Sequence, residues 1–216
     1  MYIPSSFHVE DSNVVAQFVR DHSFATLVSH DGTTMYASHL PMLLDDRQAP
    51  WRLSLHMARA NPQWKHLEQC REVLVIFSGP HAYVSPSWYS DPQSVPTWNY
   101  TAVHVTGRAR LIEDTHQLDQ LLNDLIQVYE KDRPEPWIYQ PQQETHEQLT
   151  QAIVGIEIEA IRVEAKFKLS QNRPQDYDSV ANALRSSSHP HDQEVGMLMS
   201  QIRDTSMGLA RGRIKP

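Results

Sequence analysis

The chain has 216 residues, of which 40% are apolar, and a net charge of −7. That length and apolar share allow one domain with a sizeable core, or a domain with a small appendage. The acidic balance works against binding a phosphate backbone except through a local basic patch, and the single cysteine, Cys70, excludes an internal disulfide.

In chain order, Val14, Val15, Phe18 and Val19 form an apolar stripe at helical spacing and predict a helix over 11–21, capped by Asp11 or Ser12. Phe24 to His30 reads as a strand, Asp31-Gly32 as a hairpin turn, and Thr34 to Leu44 as the returning strand. Trp51 to Met57 makes a third strand. Asn61-Pro62 opens a short helix through Leu67, with proline at its first position after an asparagine cap. Glu72 to Phe77 is a dense apolar strand. After a turn at Gly79-Pro80 the sheet continues over Ala82 to Ser85. Tyr100 to Ile112 is a long strand with Gly107 as a bulge candidate. Leu118, Leu121, Leu122, Leu125 and Val128 then set a helix over 115–131, capped by Asp114. A short helix over 144–151, a long strand over 153–167, a helix over 174–185 and a Met-rich helix over 193–207 follow, before the basic tail from Arg211. About six or seven strands joined mostly by short turns, with helices at the edges, predict a mainly β (α+β) chain. The expected form is a closed or split antiparallel barrel over 1–173, with a C-terminal helical appendage over 174–216.

No apolar run reaches the roughly 20 residues that span a bilayer. Met1-Tyr-Ile-Pro lacks the pattern of a secretory leader. The expectation is an intracellular, cytoplasmic protein with no membrane contact, which one cysteine also suits.

Two aromatic and hydroxyl clusters carry the richest chemistry, Ser85-Pro-Ser-Trp-Tyr89 and Val95-Pro-Thr-Trp-Asn-Tyr100. Trp88, Tyr89, Trp98 and Tyr100 offer stacking faces, and Ser85, Ser87, Thr97 and Asn99 offer short polar arms. That mixture suits a planar ligand with polar edges, or equally a proline-rich loop covering a barrel end. His56 to Lys65 runs from a strand end into a helix start, where backbone N–H groups and Arg59 would favour a phosphate; an ordinary cap beside a surface arginine fits as well. Pro41 within a strand marks an edge or bulge, which would leave backbone near Leu40 to bond a ligand's imide edge or water. Lys166 to Arg173 closes the last long strand with three cations and several amides, a ligand edge, a subunit contact or a solvated strand end. Twelve histidines show no metal-ligand spacing, so no metal is expected. Neither a GxSxG elbow nor a glycine-rich phosphate loop occurs.

These motifs together have a family resemblance. Met1-Tyr-Ile-Pro with Phe7, His39-Leu-Pro41, His56-Met-Ala-Arg-Ala-Asn-Pro-Gln-Trp64, Gly79 to Tyr89, Val95 to Tyr100, Val103-His-Val and Lys168-Leu-Ser-Gln-Asn-Arg173 resemble the PaiB family over about residues 1 to 185. These are bacterial FMN-binding negative transcriptional regulators linked to sporulation and extracellular protease genes. The resemblance implies an FMN-binding split β-barrel similar to pyridoxamine-phosphate oxidases, usually a homodimer with sites at the subunit interface. It places the flavin phosphate near Arg59, Ala60 and Asn61, with His56 beside them, and the isoalloxazine edge against Ser38, His39 and Leu40. Trp88, Trp98 and Asn99 would wall the site, and Lys168 and Ser170 would complete it. The oxidases' phosphate ligands are not reproduced one for one, and no residue copies a catalytic base, so catalytic residues stay unassigned. The implied function is an FMN-binding split-barrel protein of this negative-regulator type, with a flavin-dependent sensor as one form of it; the alternatives are a flavin-dependent oxidoreductase or a haem-binding split barrel without direct DNA binding. Direct DNA contact would fall to Arg203, Arg211 and Arg213 in the basic C-terminal stretch.

Overall fold

Alternation of buried and exposed residues builds most of the strands, and their inward sets are mainly apolar. The structure is a computed structural model. It describes residues 1–212, with the side chains of Gln69 and of residues 203–212 outside the description. The side chains of Arg203, Met207 and Arg211, and all of Arg213, therefore lie outside the described residues.

The elements are α1 (Ser12–Asp21), β1 (Phe24–His30), β2 (Met35–Pro41), β3 (Leu43–Asp45), β4 (Arg52–Ala58), α2 (Gln63–Gln69), β5 (Glu72–Val84), β6 (Thr97–Ile112), α3 (Thr115–Glu130), α4 (Gln143–Gln151), β7 (Ile153–Lys168), α5 (Tyr177–Arg185) and α6 (Pro190–Gly212). The strands form one sheet in the order β2-β1-β5-β6-β7-β4-β3. Pairing is antiparallel where β1 meets β2 and β5, and where β4 meets β3 and β7. β2 stands at one end of that order, and Pro41 is its last residue, the edge position that a residue without an N–H tolerates.

The chain divides into two compact units. A central unit comprises Asn13–Phe77 and Val103–Glu164; a terminal unit comprises Met1–Ser12, Ser78–Ala102 and Ala165–Pro216. In the central unit Ala25 and Leu27 of β1, Leu53, Leu55 and Met57 of β4, Val73, Val75 and Phe77 of β5, and Ile156 and Ile158 of β7 are buried. Each such Val, Leu, Ile, Met or Phe side chain contributes about 1.5–3 kcal/mol when fully removed from water. The stripe of α3 buries Leu118, Leu121 and Leu125 against Leu43, Ile112 and Ile153. Asp114 caps that helix as expected, its carboxylate accepting from the Gln117 N–H at 2.8 Å. Gly107 is needed for close approach, since a Cβ there would stand 2.6 Å from the Ile158 side chain and 2.7 Å from the Glu159 carbonyl.

The terminal unit buries Phe7, Ala82, Val84, Phe167 and Leu169 together with Val180, Leu184, Val195 and Met199 from α5 and α6. The two helices pack so tightly that a Cβ on Gly196 would meet the Arg185 backbone nitrogen at 2.8 Å.

Three expectations change. The strand expected over 34–44 breaks at Met42, which is buried and donates its N–H to the Ser23 carbonyl at 2.9 Å, so β2 and β3 are separate. The turn expected at Gly79-Pro80 is absent: β5 continues through it for 13 residues. α6 begins at Pro190, three residues early, because proline suits a first helical turn whose N–H groups lack partners.

Candidate functional site

In the central unit β4 ends at Ala58 and the chain turns through Arg59, Ala60, Asn61 and Pro62 into α2. The turn closes with the Asn61 N–H donating to the Ala58 carbonyl at 2.9 Å. Asn61 then uses both ends of its amide. Its Oδ1 accepts from the Gln63 N–H at 3.0 Å, and its Nδ2 donates to Ser38 Oγ on β2 at 2.9 Å. Ser38 and Asn61, 23 residues apart, are thus brought together.

Arg59 is exposed yet anchored. Its Nε donates to the Gln151 carbonyl at 2.7 Å and one Nη to the Ile153 carbonyl at 2.8 Å. Its backbone N–H donates to the Ala152 carbonyl at 2.8 Å, and its own carbonyl accepts from Trp64 Nε1 at 2.9 Å. The Trp64 ring faces the Arg59 guanidinium at 5.9 Å and the Lys65 ammonium at 5.7 Å. Two cations and an indole therefore cluster at the entrance to α2. Ala60 is exposed and offers backbone alone. On β4, burial holds the His56 imidazole below its ordinary value, and its Nδ1 is buried with no partner among the described residues. His39 is exposed and lies 6.5 Å from the Phe24 ring, while Leu40 is half-buried.

Sequence reasoning overlooked Gln63. It is 1% exposed, and its Nε2 donates to the Leu27 carbonyl at 3.1 Å and Ser29 Oγ at 3.0 Å, and lies 3.4 Å from the Tyr36 carbonyl. Its position four residues before buried Leu67 was the available signal, because that spacing puts both on one helix face.

In the terminal unit Trp88 is half-buried at the end of a 3-10 turn, Pro86–Trp88, capped by Ser85. The loop that follows is fastened firmly. Asp176 is buried and accepts from the Ser90 N–H at 2.9 Å and hydroxyl at 2.7 Å, which holds its carboxyl below the usual value. Arg173 donates to Ser94 Oγ at 3.0 Å and lies over the Tyr89 ring at 4.3 Å. Trp98, 53% exposed, meets Tyr83 edge-on at 5.9 Å and His81 at 6.1 Å.

Asn99 and Ser170 are brought together but face inward. Asn99 is 0% exposed and donates through Nδ2 to Ser170 Oγ at 2.9 Å, with Met199 Sδ at 3.6 Å from the same nitrogen. Ser170 has φ of 66°, a conformation few side chains adopt, held in place by this pair. Lys168 donates to Thr97 Oγ1 at 2.6 Å and to the Trp98 carbonyl; burial and then the nearby Lys166 charge lower its pKa. The twelve expected residues thus fall into two sets, one in each unit.

A family model described as "Putative FMN-binding domain" matches residues 1–162. The chain is 38% identical over 201 residues to the protease synthase and sporulation protein PAI 2 of Bacillus subtilis, covering 92% of this chain and 96% of that protein. An uncharacterized protein of Aspergillus fumigatus is 30% identical over 209 residues, covering 73% of this chain and 80% of that one. Among solved structures, the flavocytochrome of Azotobacter vinelandii superposes with a TM-score of 0.54 at 16% identity, covering 74% of this chain and 69% of that one. The FAD and haem binding protein of Mycobacterium smegmatis gives 0.55 at 13% identity, covering 74% and 73%. These structural likenesses show the split-barrel fold, and the extent of the sequence matches shows that the chain belongs to the PaiB family, which carries the FMN-binding domain.

Proposed function

We propose that this chain is a PaiB-type flavin sensor that holds FMN at the junction of β2 and α2 and works as a cytoplasmic homodimer. The observation that carries the reading is the Asn61–Ser38 hydrogen bond beside anchored Arg59, inside the matched segment.

The donor set fits FMN. Arg59 has five N–H bonds, two of which are held by carbonyls; this fixes the guanidinium plane and leaves three for a phosphate. Lys65 adds a second cation nearby. The helix itself has seven residues, so side chains rather than its dipole supply the attraction. Asn61, with one Nδ2 hydrogen held by Ser38, keeps the other for a phosphate oxygen, and the edge strand β2 suits a ring's imide edge. His56, neutral at pH 7 and with an unpartnered Nδ1, keeps a hydrogen-bonding capacity without adding charge. When bound, FMN supplies a reversible electron acceptor. In the terminal unit Asn99, Ser170 and Lys168 brace the strand that presents the exposed Trp98 face.

The outer face of the β1–β2 hairpin supports a second copy. Cross-strand pairs Phe24–Pro41, Val28–Ala37 and His30–Met35 share one side, with Phe24 and Met35 largely exposed. Among the described residues no helix is long and apolar enough to cross a membrane.

The test is spectroscopic. FMN added to purified protein should lose most of its fluorescence and saturate at one flavin per chain. Unchanged flavin fluorescence at micromolar protein would refute the reading.

A further inference from the structure

On α2, Gln63 is a polar side chain almost wholly removed from water, and it meets two strands and the turn before the helix. Its backbone N–H is capped by Asn61, and its side-chain amide donates to the Leu27 carbonyl and to Ser29 Oγ, both on β1. The same nitrogen lies 3.4 Å from the Tyr36 carbonyl on β2. Ser29 is itself 1% exposed. One buried amide thus fastens the first turn of α2 to both strands of the hairpin. The Oε1 of Gln63 is buried with no partner among the described residues. Buried carbonyls are almost always paired, so an amide here needs a reason other than packing. Leucine or methionine would fill the same volume without an unpaired oxygen, but would no longer tie Ser29 Oγ and the Leu27 carbonyl to α2.

We infer that Gln63 is a positioning residue for the phosphate end of the flavin site. Resting on the reading proposed above, it fixes Asn61 against Ser38 and so sets the distance and angle that the Arg59 to Asn61 turn presents to a phosphate. It does not touch the ligand; it acts through Asn61. Binding gains most from groups locked before the ligand arrives, because ordering them afterwards consumes affinity. Loosening the turn therefore weakens the grip on the phosphate and leaves the grip on the ring system largely intact.

The discriminating measurement is a pair of titrations, FMN against riboflavin, which differ by the phosphate alone. In the natural protein FMN should bind at least tenfold more tightly than riboflavin. Gln63→Leu should raise the FMN Kd about tenfold and so lower the ratio of the two affinities by about that factor, while the riboflavin Kd moves less than twofold. Gln63→Met should do the same. A merely structural role would raise both Kd values together and leave their ratio unchanged, and that result overturns the inference. Ser29→Ala removes one acceptor of the same amide by deleting a single oxygen. Where Gln63→Leu fails to fold, Ser29→Ala decides, with a two- to threefold fall in the ratio expected and no fall refuting. The underlying reading fails separately: a natural protein that binds neither flavin, or both equally, refutes the phosphate site itself whatever the variants do.

Discussion

The turn at Arg59 to Asn61 and the pair Asn99–Ser170 are built from similar short polar groups put to opposite uses. Asn61 bonds a serine on β2 at a part-buried position, beside exposed cations. Asn99 bonds a serine too, but at 0% exposure and against a buried methionine. The first arrangement keeps hydrogen-bonding capacity near solvent; the second spends it on the fold. An asparagine in a family motif is therefore not by itself a ligand contact, and burial together with the partner's own exposure separates the two cases.

That contrast can be broken by substitution. The largest stability effect is expected from Asn99→Ala, which leaves Ser170 in its rare backbone conformation without its amide partner and opens a cavity. A loss of about 2–4 kcal/mol in urea unfolding is expected. Asn61→Ala should cost below about 1 kcal/mol in the same assay, and equal losses would dissolve the distinction. Arg59→Ala should raise the FMN Kd by about 10- to 100-fold, and should lower stability by about 1–2 kcal/mol through the lost carbonyl bonds. Arg59→Lys should recover part of the affinity but not the anchoring, since lysine lacks the planar fork. Trp98→Ala, at a half-exposed position, should change urea unfolding by less than about 0.5 kcal/mol. A loss as large as that of Asn99→Ala would make Trp98 part of the packed terminal unit.

The smallest effect is a pH dependence. The folded pKa of Asp176 lies below its ordinary value because the Ser90 N–H and hydroxyl bond the ionised form. Its stabilising contribution is therefore complete above about pH 4 and is lost as pH falls through the folded value. Tryptophan fluorescence from the loop carrying Trp88 should change across that acid range in the natural protein. In Asp176→Asn the change should be absent, and its persistence would assign the loop's acid response elsewhere.

Much of the fold was legible because local pattern and burial agree. β1 matches its expected bounds, since Phe24 to His30 alternates cleanly between two flanking turns. Asp114 and the leucine stripe after it fix α3 for the same reason. Gly79-Pro80 misled because a turn signal cannot report that the strand runs on through such a pair to a length of 13 residues. For the site, Asn61 and Ser38 were both singled out, but their contact joins β2 to the turn after β4, 23 residues on, and no spacing reveals it. The engagement of Arg59 with carbonyls 92 and 94 residues away was equally invisible. Gln63 escaped notice because a glutamine in a short helix reads as solvent-facing until Leu67 shows which side is buried.

A crystal structure with FMN bound tests the assignment most directly. The phosphate is expected within about 3.2 Å of the Arg59 guanidinium or the Asn61 amide. A phosphate held wholly by other residues, with both of these side chains facing solvent, would contradict it.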